Sequence, residues 1–300
     1  AWTYTLDWLG RYFGRILSRK NEIQETPTVP SFLSESAFQE IPGLFQELIS
    51  GVYLEMISLL GKRTAELHLA MSSETEDMSF APEPFSVSYQ RSLYQSMQSL
   101  TKRVFLLLSK NVKNLPDNLK GLAGEILHRE KEIMDRFRGI LRKRISAMKI
   151  RIHGDYHLGQ VLYTGNDFFI IDFEGELART LSDRRLKRSP LRDIASMIRS
   201  FRYATHAALS KYTPIKPEDM PLLEHWADLW YQYVVRTFLR SYLEKVGNAP
   251  FVPDDKETFR TILIAYLLER AIYELGCELT DRPEWVIIPL KEIKHLLEVI

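Results

Sequence analysis

The chain contains a single cysteine, Cys277, in 300 residues. An internal disulfide is therefore excluded, and a reducing, cytoplasmic setting is expected. No uncharged apolar run approaches the ~20 residues that span a bilayer, and the first residues lack the basic-then-apolar layout of a signal peptide. Neither charge sign is in excess, with 40 basic residues against 39 acidic ones, so no general case arises for a nucleic acid or membrane partner. Internal repeats and low-complexity tracts are absent too. What is present is a hydrophobic content of 45%, enough to build one large domain or two small ones around a sizeable core.

The most informative stretch runs from Arg151 to Glu176 and reads as strand, loop, strand, turn, strand. A run from Met148 to Ile152 ends at His153-Gly154-Asp155, and a second covers Gln160 to Tyr163. The turn signal Thr164-Gly165-Asn166-Asp167 precedes a β-rich run from Phe168 to Ile171. The spacing predicts a hairpin with one carboxylate before it, Asp155, and one after it, Asp172. Two fixed acids flanking a hairpin suit a proton acceptor and a metal. Protein kinases place an Asp that takes the substrate hydroxyl proton, an amide ligand of magnesium five residues later, and a second magnesium ligand in D-F-G. Here those offsets fall on Asp155, Gln160 and Asp172, the last in Asp172-Phe173-Glu174-Gly175. A hard cation takes oxygen ligands and keeps waters, so one carboxylate, one amide and the phosphates of ATP suffice for Mg2+. A histidine metal site at His153 and His157 would need a helix, which Gly154 opposes. The alternative for the acids is that they are ordinary turn residues at the hairpin ends.

The remainder reads as helix. Helical periodicity covers residues 2–19, 44–71, 87–112, 119–148, 190–212, 217–246, 254–278 and 289–300. Residues 22–32, with Pro27 and Pro30, read as a linker, Ser34-Glu35-Ser36 as a helix start, and 72–86 as a loop. His68 is expected to be a buried partner, and the stripe with Trp226 and Trp230 to be core. The arginine-rich segment 179–192 reads as a solvated loop, or as a charged edge of the cleft. Asp193 follows Pro190 as an acid at a helix start, favoured by the dipole.

HGDYHLGQVL followed by IDFEGE resembles the maltokinases, sugar kinases of the aminoglycoside-phosphotransferase-like branch of the kinase fold. The resemblance extends through residues 1–13, 60–70, 179–204 and 273–290, and departs at Cys277 and Asp281. It implies a mainly α fold with a small β-hairpin, the C-terminal lobe of a kinase-like protein. Within residues 1–300 it implies a catalytic loop at 151–164, a metal-binding segment at 170–176 and helical subdomains at 1–148 and 190–300. It implies that His153 and Asp193 support the catalytic loop and that His157 meets the substrate. Upstream of Asp155 there is no Gly-x-Gly-x-x-Gly and no Val-Ala-x-Lys, so the N-lobe is expected to be absent and the lobe alone inactive. Maltose or a related disaccharide would be the acceptor, ATP the donor, and a trehalose synthase a fused partner. The alternative is a non-catalytic lobe that scaffolds such a synthase.

A neutral disaccharide needs carboxylates, a guanidinium and an aromatic plane. Tyr273, Glu274, Glu278, Arg282 and Trp285 offer all three and are expected to form the sugar site.

Overall fold

Apolar side chains at three- and four-residue steps bury one face of α1 (Trp2–Ser18) through Leu9, Tyr12, Phe13 and Ile16. This and all that follows refers to a computed structural model describing residues 1–23, 31–32, 43–49, 51–73, 76–177, 179–211 and 215–298. The expected linker prolines Pro27 and Pro30 and the helix start at Ser34-Glu35-Ser36 lie outside those residues.

The architecture is mainly helical, with α2 (Gly43–Ile49), α3 (Gly51–Ser73), α4 (Val87–Asn111), α5 (Asp117–His128) and α6 (Glu130–Arg138) in the first half. The second half holds α7 (Leu181–Arg185), α8 (Leu191–Lys211), α9 (Met220–Val246), α10 (Lys256–Asp281) and α11 (Ile287–Glu298). The most extensive packing joins α3 to α9. A Cβ on Gly61 would stand 2.5 Å from the Phe238 carbonyl oxygen, so only glycine permits that approach of the two backbones. Trp226 and Trp230 of α9 are fully buried, which makes the aromatic stripe core. α8 lies between α9 and α10 and presents its N-terminus to the loop after β2.

Two small antiparallel pairs complete the fold: β1 (Glu83–Pro84) with β2 (Met148–Lys149), and β3 (Val161–Tyr163) with β4 (Phe168–Ile170). The second is the hairpin expected between Asp155 and Asp172, with Leu162 opposite Phe169.

Several expected boundaries change. The single helix over 119–148 is instead α5, a break at Arg129, α6 and a 3-10 turn ending at Leu141. The Arg129 N–H bonds the Ile126 carbonyl, closing a tight turn, and the chain re-aims so that α5 packs on α11 and α6 on α4. The expected loop 72–86 carries β1, because Glu83 and Pro84 pair with Lys149 and Met148. The segment 179–192 includes the short helix α7, capped by the Thr180 side chain. Within the helical stretch 44–71, Val52 is 58% exposed.

Candidate active site

The segment 151–160, most of the stretch expected to be the catalytic loop at 151–164, hangs from four anchors. Asp193, at the start of α8 and 1% exposed, accepts from the His153 backbone N–H at 2.8 Å and the Gly154 N–H at 2.9 Å. It also accepts from His68 Nε2 at 3.2 Å. A carboxylate only accepts, so His68 carries its proton on Nε2, and its Nδ1 takes the Tyr242 hydroxyl at 2.9 Å. His153 Nε2 donates to the Ile171 carbonyl at 2.7 Å, which ties the loop before the hairpin to the strand after it. Tyr156 reaches Thr64 of α3 at 2.7 Å, and the Leu158 N–H donates to Ser200 of α8 at 3.0 Å. Gly154 at φ 83° supplies the left-handed step that presents Asp155.

The hairpin is fixed independently. Arg63 of α3 holds Asp167 at its turn through two bonds of 2.8 Å, and Tyr4 of α1 stacks on Tyr163 with ring centroids 4.0 Å apart. Asp155 and Asp172 therefore sit at the ends of a hairpin gripped from both sides.

Their environments differ. Asp155 is half-buried, with His157 Nε2 at 3.8 Å from its Oδ2. His157 Nδ1 accepts from the Gly159 N–H at 3.0 Å, so the proton of the neutral ring sits on Nε2, the nitrogen facing the acid. His157 holds the Asp155 carboxyl below the usual carboxylate range, opposed by burial and aided by Arg270 and His153. Asp172 is exposed, makes no side-chain hydrogen bond or ion pair with another described residue, and adopts φ 62°. A non-glycine residue in that region stores strain, as binding sites often do. The amide of Gln160 is also without a partner among the described residues.

A cavity of about 420 Å³ opens between α8 and α10 and reaches the loop that carries Asp155, although Asp155 itself is not on its wall. Arg270, Tyr273, Glu274, Cys277, Glu278 and Arg282 of the α10 side line it, with His157 and Gly159 from the segment 151–160. Four of the sugar-site residues named from the sequence are thus brought together. Trp285 is not on the wall: it stacks on Tyr203, centroids 6.0 Å apart, with His206 at its edge and Arg282 over its face. The two acids are unlike. Glu274 Oε2 takes Arg199 at 2.8 Å and its Oε1 takes Arg270 at 3.2 Å, so both oxygens are engaged. Glu278 receives Tyr203 at 3.0 Å and Arg282 at 2.7 Å on Oε1, while Oε2 is buried without a partner. Burial pushes the Glu278 carboxyl up, against the pull of Tyr203 and Arg282.

The sequence reading missed Arg270, Tyr203 and Arg199. For Arg270 a signal existed: residues 270, 274, 278 and 282 read Arg-Glu-Glu-Arg, a charged side chain at every fourth position along α10 and its C-cap. Tyr203 and Arg199 carried none, because α8 reads as an ordinary amphipathic helix.

No family model matches the chain. A glucosamine kinase of Mycolicibacterium smegmatis is 26% identical over 181 residues, 59% of this chain and 42% of the relative. One of Streptacidiphilus jiangxiensis is 21% identical over 150 residues, 49% of this chain and 32% of the relative. Among solved structures, a glucosamine kinase in complex with glucosamine, ADP and inorganic phosphate superposes with a TM-score of 0.68 at 17% identity, over 99% of this chain and 60% of that one. A second crystal form of a glucosamine kinase gives 0.67 at 16% identity, over 99% and 57%. The chain thus spans less than half the length of these curated relatives, and over nearly its whole length it has the fold of part of a sugar kinase.

Proposed function

We propose that this chain is the acceptor- and metal-binding part of an ATP-dependent sugar kinase that phosphorylates a hydroxyl of maltose or a related disaccharide. One observation carries the reading: the anchored loop leading into a single hairpin carries Asp155, with His157 of the same loop on the wall of a sugar-sized cavity, and the unpartnered Asp172 follows the hairpin. Asp155, held ionised by His157, orients the acceptor hydroxyl and takes its proton. Residues Leu162 and Phe169, paired across the hairpin and 51% and 61% exposed, offer an apolar plate for the nucleobase. The phosphate-covering β-rich lobe is, in this reading, a separate part of the protein.

Among the described residues no cluster of three or more His, Cys, Asp and Glu side chains is placed to hold a metal alone. The unpartnered carboxylate of Asp172 and amide of Gln160 are instead the two hard oxygen donors that suit Mg2+ shared with phosphates and water. A magnesium ion held there would supply positive charge to offset that of the phosphates.

A neutral acceptor fits the balance of the cavity wall, where Arg270 and Arg282 offset Glu274 and Glu278. The unpartnered Oε2 of Glu278 favours a second reading, an amino sugar whose ammonium would meet it, in line with the glucosamine named for the relatives. The test is to give the full-length protein ATP, magnesium and either maltose or glucosamine. Maltose turnover at least tenfold the more efficient is expected. A reversed preference gives the site to an amino sugar, and no Asp155-dependent turnover with either leaves a non-catalytic lobe, such as a scaffold for a trehalose synthase. Arg282→Ala is expected to raise the Michaelis constant for the sugar about tenfold, since a hydrogen bond to a charged group contributes roughly 1.5–3 kcal/mol. The constant for ATP should stay within about twofold; a change confined to ATP would move the pocket elsewhere.

A further inference from the structure

One cation on the cavity wall has so far entered only through its charge. Arg270 of α10 lines the cavity together with His157 and Gly159 of the catalytic loop, one helical turn before Glu274. Its Nε donates to Glu274 at 3.2 Å, and its guanidinium lies over the Tyr273 ring, 5.2 Å from the centroid. Its Nη1 faces Glu176 at 3.9 Å, too long for a hydrogen bond. Glu176 Oε2 is itself taken by Arg179 at 2.7 Å. The terminal edge of the guanidinium is therefore weakly engaged, and the side chain keeps 23% of its exposure.

What surrounds Arg270 fixes it in place. Glu274 is clamped from the other side by Arg199, which is fully buried and whose Nη1 stands 3.1 Å from Glu292. Glu292 in turn takes Arg202 at 3.2 Å. A chain of alternating charges thus runs from the interior to the cavity and ends on Arg270. With both oxygens spent on arginines, Glu274 has little left to offer a ligand. Its geometry is that of a residue that positions a cation.

We propose that Arg270 receives the phosphoryl group as it crosses to the acceptor, and that Glu274 and Arg199 are the residues that position it. The inference rests on the kinase reading. In the transfer the bond from the γ-phosphorus to the β–γ bridging oxygen breaks, and ADP leaves with that electron pair. A bond from the acceptor oxygen to the phosphorus forms, and the hydroxyl proton passes to Asp155. Negative charge is carried by the three remaining phosphoryl oxygens throughout, and they move toward the acceptor side as the old bond lengthens. Arg270 stands on that side, lining the cavity with His157, whose ring faces the Asp155 carboxyl at 3.8 Å. A planar guanidinium meets two phosphoryl oxygens at once, which an ammonium cannot do.

The test has two parts on the full-length protein. The first does not depend on turnover: the Arg270 Nε–Hε resonance, identified by its loss in Arg270→Lys, is followed while inorganic phosphate is added with the acceptor sugar. A saturable shift is expected, together with phosphate binding at least fivefold weaker in Arg270→Met. A resonance that does not respond to phosphate overturns the proposal. The second part is kinetic. Arg270→Met is expected to lower kcat about 10²-fold, the usual loss for one donor to developing charge, with the sugar KM within about threefold. Arg270→Lys should recover about tenfold of that, and Glu274→Gln should lose kcat in the same direction. A variant that loses sugar affinity and keeps kcat makes Arg270 a sugar contact and overturns the proposal. If the wild-type protein phosphorylates no sugar, the kinase reading fails by itself, and the phosphate titration still decides whether Arg270 receives the anion.

Discussion

Asp155→Asn is expected to lower kcat for ATP-dependent sugar phosphorylation by about 10³-fold while both substrates still bind, since general base catalysis contributes roughly 10²–10⁴-fold. The amide keeps the size of the side chain and most of its contacts but cannot take the acceptor proton. The loop should not move, because its anchors are Asp193, Ile171, Thr64 and Ser200, none of which touches the Asp155 carboxyl. The pH profile gives a second readout. The His157 ring holds the carboxyl below the usual carboxylate range, so the base is ionised at neutral pH and activity falls only as acid drives the pH down through that depressed value. Removing the ring in His157→Ala raises the carboxyl, so the acid limb of kcat/KM should move to higher pH. Wild-type kcat in Asp155→Asn, or sugar binding lost with kcat intact, would take the proton-acceptor role away from this residue. An acid limb that stays fixed in His157→Ala would show that the ring does not set the charge of the acid.

The hairpin and its two acids were legible because turn chemistry fixes spacing. Thr164-Gly165-Asn166-Asp167 allows only a short connection, and the alternation on either side sets which residues pair. The long helices were legible from their apolar period. The break at Arg129 was not, because it falls among charged residues, with neither proline nor glycine to announce it. Pairing of β1 with β2 was not legible either, since two-residue strands carry no periodic signal.

At the cavity, composition identified Tyr273, Glu274, Glu278 and Arg282 as a group, but not how they divide the work. That division depends on Arg199 and Tyr203, which come from a helix some seventy residues earlier in the chain. Trp285 illustrates the converse. Its sequence neighbourhood suggested a sugar platform, whereas its ring is spent on Tyr203 and His206. Residue type set the candidates, and long-range partners decided among them.

Asp193→Asn is expected to destabilise the fold by about 3 kcal/mol, in addition to lowering turnover. The carboxylate accepts from three donors while almost fully buried: the His153 N–H, the Gly154 N–H and His68 Nε2. An asparagine offers one oxygen and turns an NH2 toward the rest. His68 can adapt by moving its proton to Nδ1, where the Tyr242 hydroxyl can accept it. A backbone N–H has no such freedom, so at least one of the two stays buried without an acceptor, at roughly 1–3 kcal/mol, and the charge-assisted character of the others is lost. Urea unfolding monitored by the fluorescence of Trp226 and Trp230 should show a lower midpoint at an unchanged slope. His68→Phe is the control. It removes the third donor but leaves both backbone bonds, so it should cost stability without moving Asp155 and should hold kcat within about threefold of wild type. If Asp193→Asn instead costs less than about 1 kcal/mol and keeps wild-type kcat, the loop that carries Asp155 is not held by this carboxylate. The Tyr156–Thr64 and Leu158–Ser200 bonds must then fix its position by themselves.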